Sequence, residues 1–349
     1  MKRIVEAHPE HEFYFYFDRS YDQKFIFGEN VKGFVLPPQA RHPILFKWWF
    51  NGSVSRAMRK HKPDVFFSPD GYLSLKTSVP QVAVIHDLNF EHHPEDLPRN
   101  ARLYLKKYFP RFARKADHII TVSEFSKQDI ISTYGIDSEK ITVAHNGGSE
   151  EFRPLLDEEK QIVRDQLTDG KSYFVFVGAL HPRKNVPRLF KAFEKFKSDT
   201  NSQTKLVIVG EKMFRNTELE TLYNKLSVKA DIIFTGHLSS DRLTQVVGGA
   251  RSLVFPSYFE GFGIPLVEAM KAHCPIICGN KTALPEVVGD AAVLVDPYSV
   301  VDLASAMIKV NTDSELRRAL ISKGAERSKL FSWDQTAKKI WDVLQAYEN

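Results

Sequence analysis

Residues 253–268 read LVFPSYFEGFGIPLVE, and this stretch decides the fold of the second half of the chain. The apolar run Leu253–Phe255 predicts a buried strand, and the residues from Ile264 onward predict a helix, so a glycine-containing loop joins the two. Glycines let the backbone approach a ligand closely, and the free N–H groups at a helix start attract anions. The stretch therefore predicts a ligand-binding corner at the carboxyl end of a strand.

Two carboxylates, Glu260 and Glu268, bracket this corner. Glu260 lies in the loop and Glu268 in the first turns of the helix, so the two can reach different parts of one extended ligand. A carboxylate accepts two hydrogen bonds from a diol, which suits a sugar or a ribose. The alternative interpretation is a solvated loop acid at Glu260 and a favourable helix-start charge at Glu268.

A second loop, residues 178–185, reads GALHPRKN and follows the predicted strand Tyr173–Val177. This loop places Arg183 and Lys184 at a helix start in the same predicted sheet. Two cations there can neutralise a diphosphate and stabilise it as it departs. Because adjacent basic residues on a loop are often only solvated, the hypothesis depends on their pairing with the acidic loop.

Short β-branched and aromatic runs alternate with amphipathic stretches along the chain, which is typical of parallel sheets built from βαβ units. A charged segment without strand signals, residues 150–171, separates two such series. We predict an α/β protein in which two Rossmann-like, doubly wound domains face each other across a cleft. The predicted domains are residues 1–160 and 161–330, and the terminal helix 331–349 is expected to pack back toward the first domain. The predicted strands are 13–17, 65–68, 82–85, 119–122, 141–144, 173–177, 206–209, 232–234, 253–255, 275–278 and 293–295.

The composition is that of a folded globular protein. The 349 residues are 43% hydrophobic and 26% charged, and the net charge is +5, so we expect neither long disorder nor a nucleic acid partner. No apolar run reaches membrane-span length and no signal peptide core is present, which favours a cytoplasmic protein. Cys274 and Cys278 lack the further ligands that zinc needs, and the chain contains no Asp-X-Asp, so we expect no metal or other cofactor.

Basic residues concentrate in residues 99–114, RNARLYLKKYFPRFAR, where a predicted helix mixes Arg and Lys with Leu, Tyr and Phe. Such a helix is typical either of a solvated basic face or of peripheral contact with an anionic membrane. Residues 46–50, FKWWF, look exposed and form a second candidate interface with lipid or acceptor, with packing against the core as the alternative. Contact with the inner face of the plasma membrane is thus one hypothesis.

Two further candidate positions lie in the first half. His86 follows the predicted strand 82–85, and a histidine at the carboxyl end of a buried strand is placed to hydrogen-bond a sugar. Ser123 lies at another strand-to-helix junction, where it has two interpretations. It either contacts a ligand or caps the helix, with Ser126 three residues further on.

Taken together, these residues resemble the group 1 glycosyl transferases, the retaining family-four enzymes of GT-B architecture. The resemblance rests on Glu260-GFGIPLV-Glu268, on ALPEVVGD at 283–290 and on AAVLVDP at 291–297, and it covers the whole second half. The first half is similar more loosely, through residues 86–87, 122–126 and 146–147.

The resemblance implies a nucleotide-sugar donor and assigns roles to the residues. By this resemblance Glu268 would bind the ribose, and Arg183 with Lys184 would bind the diphosphate. Glu260 would bind the donor sugar, which His86 would also touch. The catalytic residues expected in this way are Glu260, His86 and Lys184, and the donor-binding residues are Gly178, Arg183, Lys184, Glu260, Gly261, Phe262, Gly263, Ile264, Glu268, Ser123 and Asn146.

The resemblance also implies a reaction. It is that of a retaining, metal-independent hexosyltransferase that takes mannose from GDP-mannose, with glucose from UDP-glucose as the next candidate. The acceptor would be a glycan or a lipid-linked molecule in cell-surface polysaccharide synthesis, lipopolysaccharide included.

The chain departs from the family pattern in two places. Many relatives carry Gly-Arg where this chain has Gly178-Ala179, so the phosphate-binding charge is expected from Arg183 and Lys184. The pattern also begins with a strand, a glycine-rich loop and a long helix, whereas residues 1–12 look like the end of that helix. We therefore expect an amino-terminal sheet without one central strand. The alternative function is a truncated, catalytically weak or inactive nucleotide-sugar-binding protein.

Overall fold

The computed structural model describes residues 1–210 and 217–348, and the chain forms two compact units. Unit 1 comprises Met1–His145 together with Trp333–Asn349, and unit 2 comprises Asn146–Ser332. Helices and strands are numbered along the whole chain. Within the described residues, no helix is both long enough and apolar enough to cross a membrane.

Unit 1 contains the first six strands, the first six helices and the last helix. Its strands are β1 (Phe13–Phe17), β2 (Val31–Val35), β3 (Phe66–Ser68), β4 (Gln81–Val84), β5 (His118–Thr121) and β6 (Ile141–Val143). Its helices are α1 (Lys2–Ala7), α2 (Pro43–Trp48), α3 (Ser55–His61), α4 (Asn89–His92), α5 (Arg99–Lys115), α6 (Glu124–Tyr134) and α15 (Trp333–Leu344).

All strands of unit 1 are parallel, as the alternating pattern predicts, but they form two sheets. β1 pairs with β2, and β3, β4, β5 and β6 lie side by side in that order. β2 was not predicted from the sequence, because Lys32 and Gly33 interrupt its apolar run. The residues of β1 are all half-buried, in contrast to the fully buried β4.

The four-stranded sheet of unit 1 is covered on both faces. Side chains alternate along β4, so Ala83 packs into one apolar cluster with Ile119 of β5, while Val82 packs into another. Leu344 of α15 belongs to the second cluster. The preceding turn of α15 brings Trp341 against His8, with ring centroids 3.8 Å apart. The terminal helix is therefore part of the core of unit 1.

The segment 46–50 lies mostly inside unit 1, so its expected exposure is wrong for most of its residues. Trp49 is 8% and Phe50 9% exposed, and the indole N–H of Trp49 donates to the carbonyl of Leu36 at 2.7 Å. Phe46 stacks on Tyr72. Only Trp48 among the aromatic residues of the segment is exposed, at 66%, because it lies on the outer face of α2.

The described residues of unit 2 form six strands and eight helices. Its strands are β7 (Tyr173–Val177), β8 (Lys205–Val209), β9 (Ile232–Gly236), β10 (Ser252–Phe255), β11 (Ile276–Gly279) and β12 (Val293–Val295). Its helices are α7 (Asp157–Thr168), α8 (Val186–Thr200), α9 (Thr217–Lys225), α10 (Ser240–Gly248), α11 (Ile264–Lys271), α12 (Leu284–Val288), α13 (Val300–Thr312) and α14 (Ser314–Ser328). The charged segment 150–171 contains α7, which packs with α10, and unit 2 begins at Asn146, before this segment.

The sheet of unit 2 is wholly parallel, with the strand order β12-β11-β10-β7-β8-β9. From β7 the chain adds β8 and β9 on one side, and it then returns to add β10, β11 and β12 on the other. This reversal makes the space between β7 and β10 the topological switch point, where open α/β sheets bind ligands outside the carboxyl ends of the strands. The predicted α/β class and the doubly wound order of this domain are confirmed.

The core of unit 2 is rich in phenylalanine. Phe174 and Phe176 of β7 are fully buried, and so is Phe193 of α8, which stacks on Phe196 with ring centroids 6.0 Å apart. Strands buried on both faces are typical of sheets that carry helices on each side. This packing fixes β7, and with it the start of the loop 178–185.

We predict that Phe193→Ala lowers the free energy of unfolding of unit 2 by about 3–5 kcal/mol, because it leaves a cavity in a closely packed core. Urea denaturation measures the change. Leu294→Ala in β12 is the control, since Leu294 is 40% exposed and should cost less than about 1 kcal/mol. Equal losses in the two variants would contradict this description of the core.

Candidate functional site

The loops after β7 and β10 begin on either side of the switch point of unit 2. The loop after β7 contains a short turn, Pro182–Lys184, and ends at Asn185, where α8 begins. The loop after β10 ends at Gly263, where α11 begins. The backbone N–H of Tyr258 donates to the carbonyl of Arg183 at 3.1 Å, so the two loops are bonded directly to each other.

Glu260 lies between the two cations of the neighbouring loop. Its carboxylate Oε1 is 2.7 Å from Nζ of Lys184, and Oε2 accepts a hydrogen bond from Nη1 of Arg183. The Glu260 side chain is only 6% exposed and that of Lys184 only 11%. The predicted convergence of the acidic and the basic loop is therefore present in the structure. Taken by themselves, these three side chains carry a net positive charge, which attracts anions.

The carboxyl group of Glu260 stays ionised despite its burial. Burial by itself raises its pKa, but the nearby charges of Lys184 and Arg183, with their hydrogen bonds, outweigh that effect and hold the pKa below its usual value. Backbone bonding also holds the loop, since the N–H of Glu260 donates to Oγ1 of Thr282 at 3.0 Å.

Lys184 is positioned by apolar surroundings as well as by its ion pair. Its Nζ lies 4.5 Å from the centre of the Phe255 ring, a cation–π geometry. Gly178 follows β7 with φ +151, and a Cβ there would stand 3.6 Å from Cε of Lys184. That backbone conformation favours glycine, so Gly178 leaves the space beside the lysine open.

The glycine turn presents the start of α11 to the same region. Gly263 has φ +104, which suits glycine, and Ile264 opens the helix. Gly261 and Phe262 precede it, and Phe262 is 3% exposed because its ring packs on Phe331. The first N–H groups of a helix have no partner within the helix and carry its positive dipole end. The turn can therefore donate hydrogen bonds to phosphate or sugar oxygens.

Glu268 lies further along α11 and has its own partners. Burial raises the pKa of Glu268 to about 7, although the backbone N–H of Ser149 donates to it and Lys271 lies nearby. Nζ of Lys271 also donates to the carbonyl of Gly148 at 2.8 Å, which fastens the segment beginning at Asn146 to this helix. Asn146 is half-buried at the start of unit 2. Glu268 is thus a half-buried carboxyl group poised between its two protonation states.

Two candidates of the sequence analysis belong to unit 1. Ser123 caps α6, since its Oγ accepts from the N–H of Ser126 at 3.0 Å and its exposure is 0%. These contacts match the capping alternative, and a role of Ser123 in donor binding stays a prediction. His86 is exposed just beyond the end of β4, with Nε2 2.9 Å from the carbonyl of Pro69. Its predicted contact with a sugar likewise stays a prediction.

Asn185 is a residue of this site to which the sequence analysis gave no role. It is 2% exposed and has the left-handed conformation, with φ 61. Its Nδ2 donates to the carbonyl of Pro256 at 3.0 Å and to that of Pro297 at 2.6 Å. One carboxamide therefore joins the loops after β7, β10 and β12. In the sequence, this role is indicated only by the position of an asparagine directly after a basic pair. The two carbonyls that it contacts are too far away along the chain to be recognised as its partners.

We predict that Asn185→Ala lowers the free energy of unfolding by about 2–4 kcal/mol, because two buried carbonyls lose their donor. Asn201→Ala is the matched control, since Asn201 has the same left-handed conformation, with φ 51, but is exposed at the end of α8. Chemical denaturation measures the free energy of unfolding of both variants. The difference between their losses gives the contribution of the buried Asn185 carboxamide. Equal effects would show that only the backbone conformation matters.

Two family profiles match the chain. Residues 157–327 match the family described as "Glycosyl transferases group 1", and residues 7–151 match "Glycosyltransferase Family 4". Among curated relatives, the O-antigen chain mannosyltransferase B of Escherichia coli is 28% identical over 293 residues, which cover 84% of this chain and 76% of that protein. The serotype-specific mannosyltransferase WbdA of Escherichia coli is 31% identical over 73% of this chain, which spans only 32% of WbdA.

Solved structures with the same fold are glycosyltransferases. WaaG, a glycosyltransferase involved in lipopolysaccharide biosynthesis, superimposes with a TM-score of 0.77 at 19% identity, covering 98% of this chain and 94% of WaaG. Anabaena HepE in complex with UDP and glucose gives a TM-score of 0.77 at 19% identity, covering 99% of this chain and 94% of HepE. These similarities confirm the predicted GT-B fold with its two Rossmann-like domains. Because the two profiles together match nearly the whole chain, the protein belongs to the group 1 glycosyl transferases of glycosyltransferase family 4.

Proposed function

We propose that this glycosyltransferase moves a hexose from a nucleotide sugar to a glycan or lipid-linked acceptor in cell-surface polysaccharide synthesis. The observation that carries the proposal is the buried Glu260 carboxylate held by Lys184 and Arg183 at the switch point of unit 2. A net positive, partly enclosed site beside a helix start suits a diphosphate joined to a sugar. The nucleotide-sugar donor would be bound there.

The favoured donor is GDP-mannose, and UDP-glucose is the next candidate. Three of the relatives, the O-antigen chain mannosyltransferases B and RfbU and the serotype-specific WbdA, are named mannosyltransferases, which supports mannose. HepE has been solved with UDP-glucose, which supports the alternative. The names of the relatives O-antigen chain mannosyltransferase B and RfbU also support a polysaccharide acceptor.

The proposed roles follow from the charges of the site. Lys184 and Arg183 would hold the diphosphate and stabilise the negative charge that grows on it as the bond to the sugar breaks. Glu260 and the N–H groups of Phe262 and Gly263 would bind sugar hydroxyls, and Glu268 would accept hydrogen bonds from the ribose diol. His86 would contact the transferred sugar. The catalytic residues in this proposal are Glu260, His86 and Lys184.

The proposed reaction retains the anomeric configuration and uses no metal. The acceptor hydroxyl would attack the anomeric carbon from the face that the diphosphate leaves, and its proton would pass to the departing diphosphate oxygen. A new glycosidic bond forms, the bond from the sugar to the phosphate breaks, and the nucleoside diphosphate is released. The two side-chain cations would supply the positive charge that a metal ion provides elsewhere.

We also propose a peripheral contact of unit 1 with the inner face of the plasma membrane. Helix α5 carries seven basic residues and no acidic one between Arg99 and Lys115. Leu103 on this helix is 57% exposed, and Ile44 and Trp48 on α2 are 61% and 66% exposed. Basic and apolar side chains on neighbouring helices suit a surface of anionic lipid.

We predict that Glu260→Gln and Lys184→Ala each lower kcat/KM for the accepted donor by about 100- to 1,000-fold, because each removes a charge from the reacting centre. A panel of nucleotide sugars is assayed with an acceptor extract, and product formation is measured. Glu326→Gln and Lys329→Ala are the matched controls, since that ion pair lies in the same unit with both side chains exposed. Unchanged turnover in both site variants would remove the assigned site. Donor binding without any turnover would instead favour the alternative of an inactive nucleotide-sugar-binding protein.

We predict that affinity for GDP-mannose rises about tenfold between about pH 6 and pH 8, because the ribose diol donates to the ionised form of Glu268. The pKa of Glu268 in the free protein is about 7, so its ionised fraction grows over this range and levels off above it. Calorimetric titration at a series of pH values measures the change. Glu268→Gln should give weak binding that does not vary with pH. A wild-type affinity that is constant over this range would contradict the assignment of Glu268 to the ribose.

A further inference from the structure

A group of arginines lies at the amino edge of the unit 2 sheet, opposite the switch point. Arg251 directly precedes β10, and its backbone N–H donates to the carbonyl of Tyr173 at 2.7 Å. Its Nη2 donates to Oγ of Ser172, which directly precedes β7, at 3.0 Å. Arg251 is therefore held at the beginning of the two central strands.

Two more arginines reach this edge from helices. Nε of Arg164 on α7 donates to the carbonyl of Gly249, two residues before Arg251, at 3.4 Å. Nη1 of Arg317 on α14 donates to the carbonyl of Asn311 at 3.0 Å. Burial lowers the pKa of the Arg251 guanidinium, and the positive charges of Arg317 and Arg164 lower it further. The guanidinium group of Arg251 thus lies near enough to the other two arginines to be affected by their charges.

The side chain of Asn311 connects Arg317 to the same edge of the sheet. Its Oδ1 accepts from Oγ1 of Thr204 at 3.3 Å, and Thr204 directly precedes β8. The N–H of Lys205 in turn donates to the carbonyl of Ser172 at 2.9 Å. Arg317 is therefore linked through Asn311 and the start of β8 to Ser172, the residue that Arg251 contacts.

No carboxylate neutralises this group within the part of the chain that the structure describes, since none lies within 4.0 Å of the three guanidinium groups. The acids beside Arg317 on α14 are engaged elsewhere. Asp313 accepts from the N–H of Leu316 at 2.8 Å as the helix cap, and Glu315 lies 3.9 Å from Arg318. Among the described residues, Arg164 and Arg317 thus contact backbone carbonyls and Arg251 contacts a hydroxyl group, in place of a carboxylate.

A second observation points to a missing acceptor. Nε of Arg251 is buried and has no hydrogen-bond partner among the described residues. A buried donor without an acceptor costs free energy, and like charges held close together cost more. One bound anion would satisfy the donor and offset the repulsion at the same time.

We propose that Arg164, Arg251 and Arg317 bind a small oxyanion, either inorganic phosphate or the phosphoryl group of a larger ligand. Guanidinium groups match the oxygens of a phosphate in pairs, and Ser172 adds a hydroxyl beside them. The site lies at the amino edge of the sheet, and the proposed donor site lies at the carboxyl edge. It is a second, non-catalytic anion site, and it does not depend on the proposed function.

Thermal unfolding of the whole chain in inorganic phosphate, against chloride at matched ionic strength, tests this site. We expect about 10 mM phosphate to raise the Tm of the wild type by about 2–5 °C. Lys184→Ala, which weakens phosphate binding at the carboxyl edge, should keep that rise. Arg251→Gln and Arg317→Gln should lose it. Arg318→Gln is the matched control, since Arg318 is the next residue on α14 and its side chain is 76% exposed.

The variants also differ without phosphate. In phosphate-free buffer of low ionic strength, Arg251→Gln should be at least as stable as the wild type, because one of three like charges is gone. Titration of the Lys184→Ala variant with mannose 1-phosphate separates the two sources of the oxyanion, because the donor site at the carboxyl edge is weakened in that variant. A rise like that in phosphate indicates the phosphoryl group of a larger ligand, and no rise indicates the free ion. A phosphate effect that is absent from the wild type, or equal in Arg251→Gln, or lost in Lys184→Ala, would overturn the proposal.

Discussion

The ion pairs of Glu260 with Lys184 and Arg183 are the interaction on which the candidate site depends. A carboxylate that is 6% exposed is stable only if opposite charges and hydrogen bonds replace the water it has lost. Both cations come from the loop after β7 and the acid from the loop after β10. The loops must therefore stay together, and the pairing fixes a net positive charge at the switch point. The anion site thus results from the pairing of one buried acid, Glu260, with two cations.

The supporting contacts explain why the two loops stay in place. Asn185 bonds to the loops after β10 and β12 with one buried carboxamide. Gly178 leaves room beside Lys184, and Phe255 lies under the ammonium group. Gly178 directly follows β7, Phe255 is the last residue of β10, and Asn185 lies at the start of α8. The charged groups therefore lie in short loops whose ends are held by the strands of the sheet.

Much of this arrangement could be predicted from the sequence. The aromatic and β-branched runs gave Tyr173–Val177, Phe13–Phe17 and Val293–Val295 with the observed bounds, because short uninterrupted runs of such residues are typical of strands. β2 was not predicted, since a lysine and a glycine interrupt it. The role of Asn185 could not be predicted from the sequence, because its acceptors are the carbonyls of Pro256 and Pro297, which only the folded chain brings together. The arginine group at the opposite edge could not be predicted for the same reason, because its three members come from separate segments of the chain.

The two edges of the unit 2 sheet therefore differ in their electrostatics. At the carboxyl edge a carboxylate is paired with two cations, and at the amino edge three arginines have no acid within the described residues. The most direct test of the first arrangement is a crystal structure of the whole chain with GDP-mannose bound. With the donor bound at this site, we expect diphosphate oxygens within about 3 Å of Nζ of Lys184 and a sugar hydroxyl at the same distance from the Glu260 carboxylate. A donor bound elsewhere, with the ion pair closed and facing no ligand, would contradict it.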